Sequence, residues 1–154
     1  MARRLLVDAM LGKLARYLRM CGYDAAYALD RGLEADEDLL AVARDEGRQL
    51  LTRDRQLADR APAGVRIDAR EIDDQLRELL ADGFDLSLAD EPTRCGRCNG
   101  RVAPVGEDET VPAYAPDPTE TPCHRCRDCG QVFWKGSHWD DVRARLRRVK
   151  DETE

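Results

Sequence analysis

The chain has 154 residues, with 31 acidic against 25 basic side chains and a formal net charge of −6. That length holds one domain of ordinary size or a smaller domain with an appendage, and a 42% apolar content supports a packed core. The acidic balance argues against an unselective nucleic-acid coat, which needs clustered Lys and Arg, while leaving room for a local basic groove.

No stretch approaches the ~20 apolar residues of a membrane span, so no membrane association is expected. Arg3-Arg4 followed by three apolar residues and Asp8 is not a signal peptide. The compartment expected is the cytoplasm, where thiols stay reduced and paired cysteines read as metal ligands.

In chain order, Leu5-Leu6-Val7 is a short strand, apolar throughout, as in a buried parallel sheet. It ends on Asp8, where open α/β sheets bind their ligands. Leu11, Leu14, Ala15 and Leu18 then form a helical stripe closed by Gly22. Lys13, Arg16 and Arg19 form a basic ridge on another face of that helix. Tyr23 to Leu29 reads as a second strand. An acidic segment, Asp30 to Asp38, leads into a helix through Leu39, Leu40 and Ala43, with Asp36 as N-cap and Glu37 and Asp38 in the first turn. After Gly47, Gln49 to Thr52 is a third strand delivering Arg53 and Asp54. A short helix through Leu57 and Ala58 stops before Pro62. Val65-Arg66-Ile67 is a fourth strand, and a helix from about Glu71 carries Ile72, Gln75, Leu76, Leu79 and Leu80. Strand and helix alternating four times imply a parallel sheet, and the α/β domain is placed at residues 1–88.

From Leu88 the character changes, and residues 92–154 read as a second unit. Cys95-x-x-Cys98 and Cys126-x-x-Cys129 each run into Asn-Gly or Gly and have the form of two zinc knuckles. Together they make a closed, tetrahedral four-cysteine site for one structural zinc ion. Cys123 also stands at knuckle spacing from Cys126, but it precedes His124 and lacks the Gly-Gln-Val-Phe-Trp context after Cys129. Cys21, among apolar residues, reads as core. The chain ends in a basic helix from His138 or Trp139 to Lys150.

Asp8, Asp36, Asp38 and Asp54 form a second constellation, because strand ends and helix starts of a parallel sheet meet on one edge. Carboxylates converging there repel one another unless a divalent cation binds, and Mg²⁺ or Mn²⁺ suits such donors. A site of this kind hydrolyses phosphodiesters. Lys13, Arg16 and Arg53 stand beside it as phosphate contacts. The plainer reading is that these aspartates only cap or complement the helices they precede.

Four stretches carry a family resemblance: Asp8-Ala-Met-Leu-Gly-Lys-Leu-Ala-Arg-Tyr-Leu-Arg, Gly22-Tyr23-Asp24, Leu51-Thr52-Arg53-Asp54 and Cys126-Arg-Asp-Cys-Gly-Gln-Val-Phe-Trp-Lys-Gly-Ser-His138. They resemble the Mut-seven C-terminal RNase family over nearly the whole chain. The resemblance implies a PIN-like three-layer α/β domain around a parallel sheet, followed by a zinc ribbon and a terminal helix. It implies a metal-dependent ribonuclease, taken here as an endonuclease acting on RNA. Carried over by position, Asp8, Asp36 or Asp38, and Asp54 are its acidic residues, and Thr52 orients the loop or a carboxylate. Many such domains bear a further acidic residue two positions after Asp54. Here Gln56 stands there, which leaves fewer metals, weaker binding, or recruitment of Asp59. Where relatives tend to have an aromatic residue this chain has Cys123, which supports leaving Cys123 out of the zinc set.

The ribbon reads as a folding scaffold, as an RNA-gripping surface, or as both. Its candidate RNA contacts are Arg94, Arg97, Arg101, Arg125, Lys135 and the terminal helix, with Phe133, Trp134 or Trp139 exposed for base stacking. His138 reads as a cap or buttress, with a fifth zinc ligand or an RNA contact as alternatives. Two further functions stay open: a non-catalytic RNA-binding module with a vestigial acidic edge, and a toxin-like nuclease with a protein antitoxin.

Overall fold

Residues 3–153 are described by a computed structural model of the chain. Four short strands, β1 (Arg4–Val7), β2 (Asp24–Tyr27), β3 (Gln49–Thr52) and β4 (Val65–Arg66), pair in parallel in the order β2-β1-β3-β4. Side chains alternate across the sheet, so consecutive residues enter different cores. Leu5, Val7, Ala25 and Leu51 face one side, together with α1 (Gly12–Met20), α4 (Ile72–Ala81) and α5 (Ser137–Thr153). Leu6, Ala26 and Leu50 face the other, against α2 (Asp36–Asp45) and α3 (Arg55–Arg60). A sheet buried on both faces needs the uninterrupted apolar runs seen in β1 and β3. The result is the expected three-layer α/β arrangement. No helix among the described residues is long and apolar enough to cross a membrane.

The boundaries depart from expectation at a few points. β2 stops at Tyr27, and Ala28–Arg31 forms a 3₁₀ turn instead. α2 is capped by Ala35 rather than Asp36, with no side-chain cap bond. Asp36 is thereby moved into the first turn, where its charge still complements the helix dipole. The terminal helix begins at Ser137 and runs to Thr153. Its Val142, Leu146 and Val149 pack in the same core as Leu14, Leu18, Leu76 and Leu79. Arg145 and Arg148 close on Asp73 of α4 at 2.5 and 2.9 Å. Two cations of a helix expected to serve RNA are therefore spent on holding α5 against α4.

Between α4 and α5 lies a small antiparallel sheet of β5 (Val102–Pro104), β6 (Cys123–Cys126) and β7 (Val132–Trp134), in the order β5-β6-β7. The proline-rich interval between β5 and β6 is pinned by Tyr114, whose hydroxyl accepts from Val132 N–H at 3.0 Å and whose ring stacks on Trp134.

The first knuckle docks on the outer edge of β2, where an open strand leaves backbone groups unpaired. Asn99 Oδ1 accepts from Ala25 N–H at 2.9 Å, and Arg19 Nε donates to Ala25 C=O at 2.8 Å. Asn99 also donates to Asp24 at 2.7 Å, and Arg48 reaches the same carboxylate at 2.8 Å. Burial works against the Asp24 charge, but the bonds from Arg48 and Asn99 outweigh it and hold the carboxyl down at about 2. Arg19 is buried, donates to Gly96 C=O at 3.0 Å and pairs with Asp30 at 3.5 Å. It leaves the expected basic ridge to join α1, β2 and the knuckle.

Candidate functional site

Asp8 follows β1 and Asp54 follows β3, the neighbouring strand, so both stand on the C-terminal edge of the sheet. The connection between them is Thr52, the last residue of β3 and fully buried. Its hydroxyl donates to Asp8 Oδ2 at 2.6 Å and accepts from Asp54 N–H at 3.1 Å. Asp8 Oδ1 accepts from Ala9 N–H at 2.7 Å, and Asp54 Oδ1 accepts from Leu57 N–H at 3.2 Å as the N-cap of α3. The capping reading of both residues is thus correct as structure. It does not exhaust them, because an ionised carboxylate has about four acceptor positions and each cap bond uses one.

Tyr27 closes the β2 side of this edge. Its hydroxyl donates to Ala9 C=O at 2.5 Å, next to Asp8. Burial pushes the phenol above its ordinary range, and the charges of Asp30 and Asp8 push the same way. Gly12 allows this approach, since a Cβ there would lie 2.8 Å from the Tyr27 oxygen. Asp30, on the 3₁₀ turn after β2, therefore joins the acidic edge. Its place in an undifferentiated acidic run gave no signal for singling it out.

Asp36 and Asp38 are exposed in the first turn of α2, and their side chains make no hydrogen bond or ion pair among the described residues. Between them Glu37 pairs with Arg60 of α3 at 2.5 Å. Among the described residues no three acidic side chains gather their oxygens into a tight group. Gln56 and Asp59 are exposed on α3. Arg53 donates to Asp68 C=O at 3.4 Å, while its buried Nε has no partner. Lys13 and Arg16 are exposed and unpaired among the described residues. Lys135 pairs with Glu91 at 3.6 Å and lies 5.9 Å from the centre of the Trp139 ring.

The second site is sharply formed. The Sγ atoms of Cys95, Cys98, Cys126 and Cys129 all lie within 4.8 Å of one another. The Cys95–Cys129 and Cys98–Cys126 separations are 3.6 and 3.5 Å. A tetrahedron with metal–sulfur bonds near 2.3 Å has sulfur edges of about 3.8 Å, so the four thiols fit one zinc ion. Backbone N–H groups turn toward sulfur as knuckles require: Gly100 toward Cys98, and Asp128 and Cys129 toward Cys126, each at 3.4 Å. For Cys126 burial opposes the thiolate, but the N–H groups of Cys129 and Asp128, together with the neighbouring Cys98 and Cys129 thiols, outweigh it and hold the thiol below its ordinary value. Gly100 is obligatory where the knuckles meet, since a Cβ there would fall 2.6 Å from Asp128 and 2.8 Å from Cys126 Sγ. Cys123 is outside the cluster. Its thiol points to the carbonyls of Thr121 and Pro116 at 3.4 and 3.7 Å. His138 is also outside it, exposed at the start of α5.

The aromatic residues differ from expectation. Phe133 and Trp134 are half-buried and Trp139 is only 5% exposed, because α5 folds back onto the α/β core and carries Trp139 inward. All three line one cavity beside α1.

The profile of the Mut7-C RNAse domain matches residues 3–146, nearly the whole chain, and the chain belongs to that family. The family description points to a nuclease acting on RNA. No curated protein and no solved structure matches the chain significantly.

Proposed function

We propose that this member of the Mut7-C RNAse domain family is a metal-dependent, PIN-like endoribonuclease whose reaction takes place at the Asp8–Thr52–Asp54 edge. The observation that carries this reading is the buried Thr52 hydroxyl, which ties the two carboxylates of adjacent strands into one unit. Nothing in strand or helix formation requires a hydrogen bond from β3 to the Asp8 carboxylate, whereas a cation site requires fixed carboxylates.

The donor set is all hard oxygen, which fits Mg²⁺ or Mn²⁺ and not a soft metal. When bound, such an ion supplies charge neutralisation for the phosphate and acidifies the attacking water. Asp8 and Asp54 would hold it, with Asp36 and Asp38 of the first turn of α2 as the further acidic residues of the site. Asp30 and Tyr27 bound the edge on the β2 side. Lys13 and Arg53 contact substrate phosphate, the unpartnered Arg53 Nε being a donor in want of an acceptor. Hydrolysis adds water across one P–O bond of the RNA backbone and leaves a phosphate on one fragment and a hydroxyl on the other. Met10, 72% exposed, and Leu29, 56% exposed, flank an open edge, which suits a strand running past in both directions.

In this assignment residues 1–88 are the nuclease unit. Residues 92–154 are the zinc ribbon and its returning helix, with zinc supplying folding energy. The test is metal-dependent cleavage: purified protein cuts single-stranded RNA in Mn²⁺ or Mg²⁺ and stops in EDTA, with structural zinc still bound. The second reading, a non-catalytic RNA-binding module, is favoured by Gln56. It predicts tight RNA binding in EDTA and no cleavage in Mn²⁺ on any substrate.

A further inference from the structure

A cavity of about 370 Å³ lies where α1, the first knuckle, β7 and the start of α5 meet. Its wall combines cations from two elements, Arg16 with Arg94 and Arg97, and three aromatic rings, Phe133, Trp134 and Trp139. The chain holds only two Phe, four Tyr and two Trp, so this one wall collects both tryptophans and half the phenylalanines. Packing between α1 and the ribbon would account for apolar rings here, but not for two further observations. The Trp139 indole N–H is buried with no acceptor, an arrangement that native structures seldom tolerate without a ligand or water. Arg16 is exposed on this wall and pairs with no anion among the described residues, in a protein of net charge −6.

The cavity adjoins a second depression that runs along α1 toward the β2 side of the acidic edge. This open depression of about 450 Å³ shares Arg16, Gly96 and Arg97 with the cavity and extends through Lys13 to Tyr27 and Asp30. Tyr27 is hydrogen-bonded beside Asp8. The path follows α1, which spans roughly 12 Å from Gly12 to Met20. Cations spaced along it suit a phosphate backbone, and rings at its end suit the flat face of a base.

We infer that this cavity is a subsite for an unpaired nucleobase of single-stranded RNA, a few nucleotides from the bond cut at Asp8 and Asp54. The assignment rests on RNA being the substrate of that edge. An unpaired base enters because stacking requires a face that duplex pairing hides. Arg16 and Arg97 contact the adjoining phosphates, and an acceptor on the base or its phosphate satisfies the Trp139 N–H.

Both tryptophans line the cavity, so intrinsic fluorescence reports its occupancy. The experiment titrates a single-stranded RNA hexanucleotide into the full-length, zinc-loaded Asp8→Asn protein, which removes cleavage from the readout. Binding is followed in parallel by filter retention. Saturable quenching is expected, at the same midpoint as retention. Arg16→Glu, a surface change with no fold contact to lose, should weaken both about tenfold or more, and a fully paired duplex should leave the fluorescence unchanged. Three outcomes overturn the subsite: retention without quenching, wild-type affinity in Arg16→Glu, or equal quenching by the duplex or by an acidic peptide. Absence of RNA binding by both measures in the Asp8→Asn protein with Arg16 intact overturns it as well. Quenching by RNA with no cleavage by the wild-type protein would sink the nuclease reading and leave the subsite standing. Cleavage with unchanged kcat/KM in Arg16→Glu would do the reverse.

Discussion

Replacing Thr52 by valine exchanges a hydroxyl for a methyl of the same shape in a site with no solvent exposure. Two hydrogen bonds disappear: the 2.6 Å bond to Asp8 Oδ2 and the 3.1 Å bond from Asp54 N–H. A bond to a charged group contributes about 1.5–3 kcal/mol net, and an orphaned backbone donor costs about 1–3 kcal/mol. Asp8 and Asp54 are partly or fully exposed, so water replaces some of what is lost, and a net destabilisation of about 2 kcal/mol follows. For a chain of this size that lowers Tm by about 4–8 °C. With Asp8 free to rotate, kcat for RNA cleavage should fall about 10- to 100-fold, the equivalent of about 1.4–2.8 kcal/mol in the transition state. Thr52→Ser keeps the hydroxyl and should recover most of the activity while losing one buried methyl. Thermal denaturation in saturating zinc and single-turnover cleavage in Mn²⁺ measure the two effects. A valine variant as active as wild type, or a serine variant as impaired as valine, would refute the orienting role.

Zinc stoichiometry should be one per chain, lost in Cys95→Ser and Cys129→Ser and retained in Cys123→Ser. Metal analysis after gel filtration reads this directly, and loss in all three would mean a different ligand set. Asp24, held at about 2 against an ordinary value of 3.8, contributes stability that is present above the ordinary value and lost as pH falls through the folded one. The contribution is about 2 kcal/mol, fading between pH 4 and pH 2. In urea titrations Asp24→Asn should therefore be destabilised relative to wild type at pH 6 and should converge with it near pH 2. A constant difference would show that the Arg48–Asp24–Asn99 network is not what lowers this carboxyl. Gly100→Ala should fail to retain zinc, because its Cβ falls on Cys126 Sγ and Asp128. Normal zinc content in that variant would contradict the close packing of the knuckles.

The features legible in the sequence were those encoded by local pattern. β3 lies between Gly47 and Arg53 as an apolar run of strand length, and the structure has the expected bounds, Gln49–Thr52. Spacing and the glycines that follow them mark out the four thiols that the structure brings within 4.8 Å of one another, and Cys123, whose context differs, lies outside that group. The readings that failed depended on contacts made across long stretches of chain. Arg19 shares a helix face with Lys13 and Arg16 at helical spacing, yet its partners are the carbonyls of Ala25 and Gly96, the latter 77 positions away. Trp139 reads as an exposed residue of a polar terminal helix until α5 is seen to pack on α1 and α4. Asp30 could not be separated from its acidic neighbours before the fold brought its charge, like that of Asp8, to bear on Tyr27. The depression beside α1 is lined by Lys13, Arg16 and the buried Arg19 together with Arg97 from another element.

The measurement closest to the central claim is cleavage of single-stranded RNA in Mn²⁺ by the wild-type protein and by Asp8→Asn and Asp54→Asn. All three should be purified with equal zinc content and equal Tm to within a few degrees. Metal-dependent cleavage by wild type is expected, with none in EDTA and a loss of at least about a thousandfold in each variant while RNA binding is retained. Undiminished cleavage by both variants would contradict it and would place the chemistry away from the β1–β3 edge.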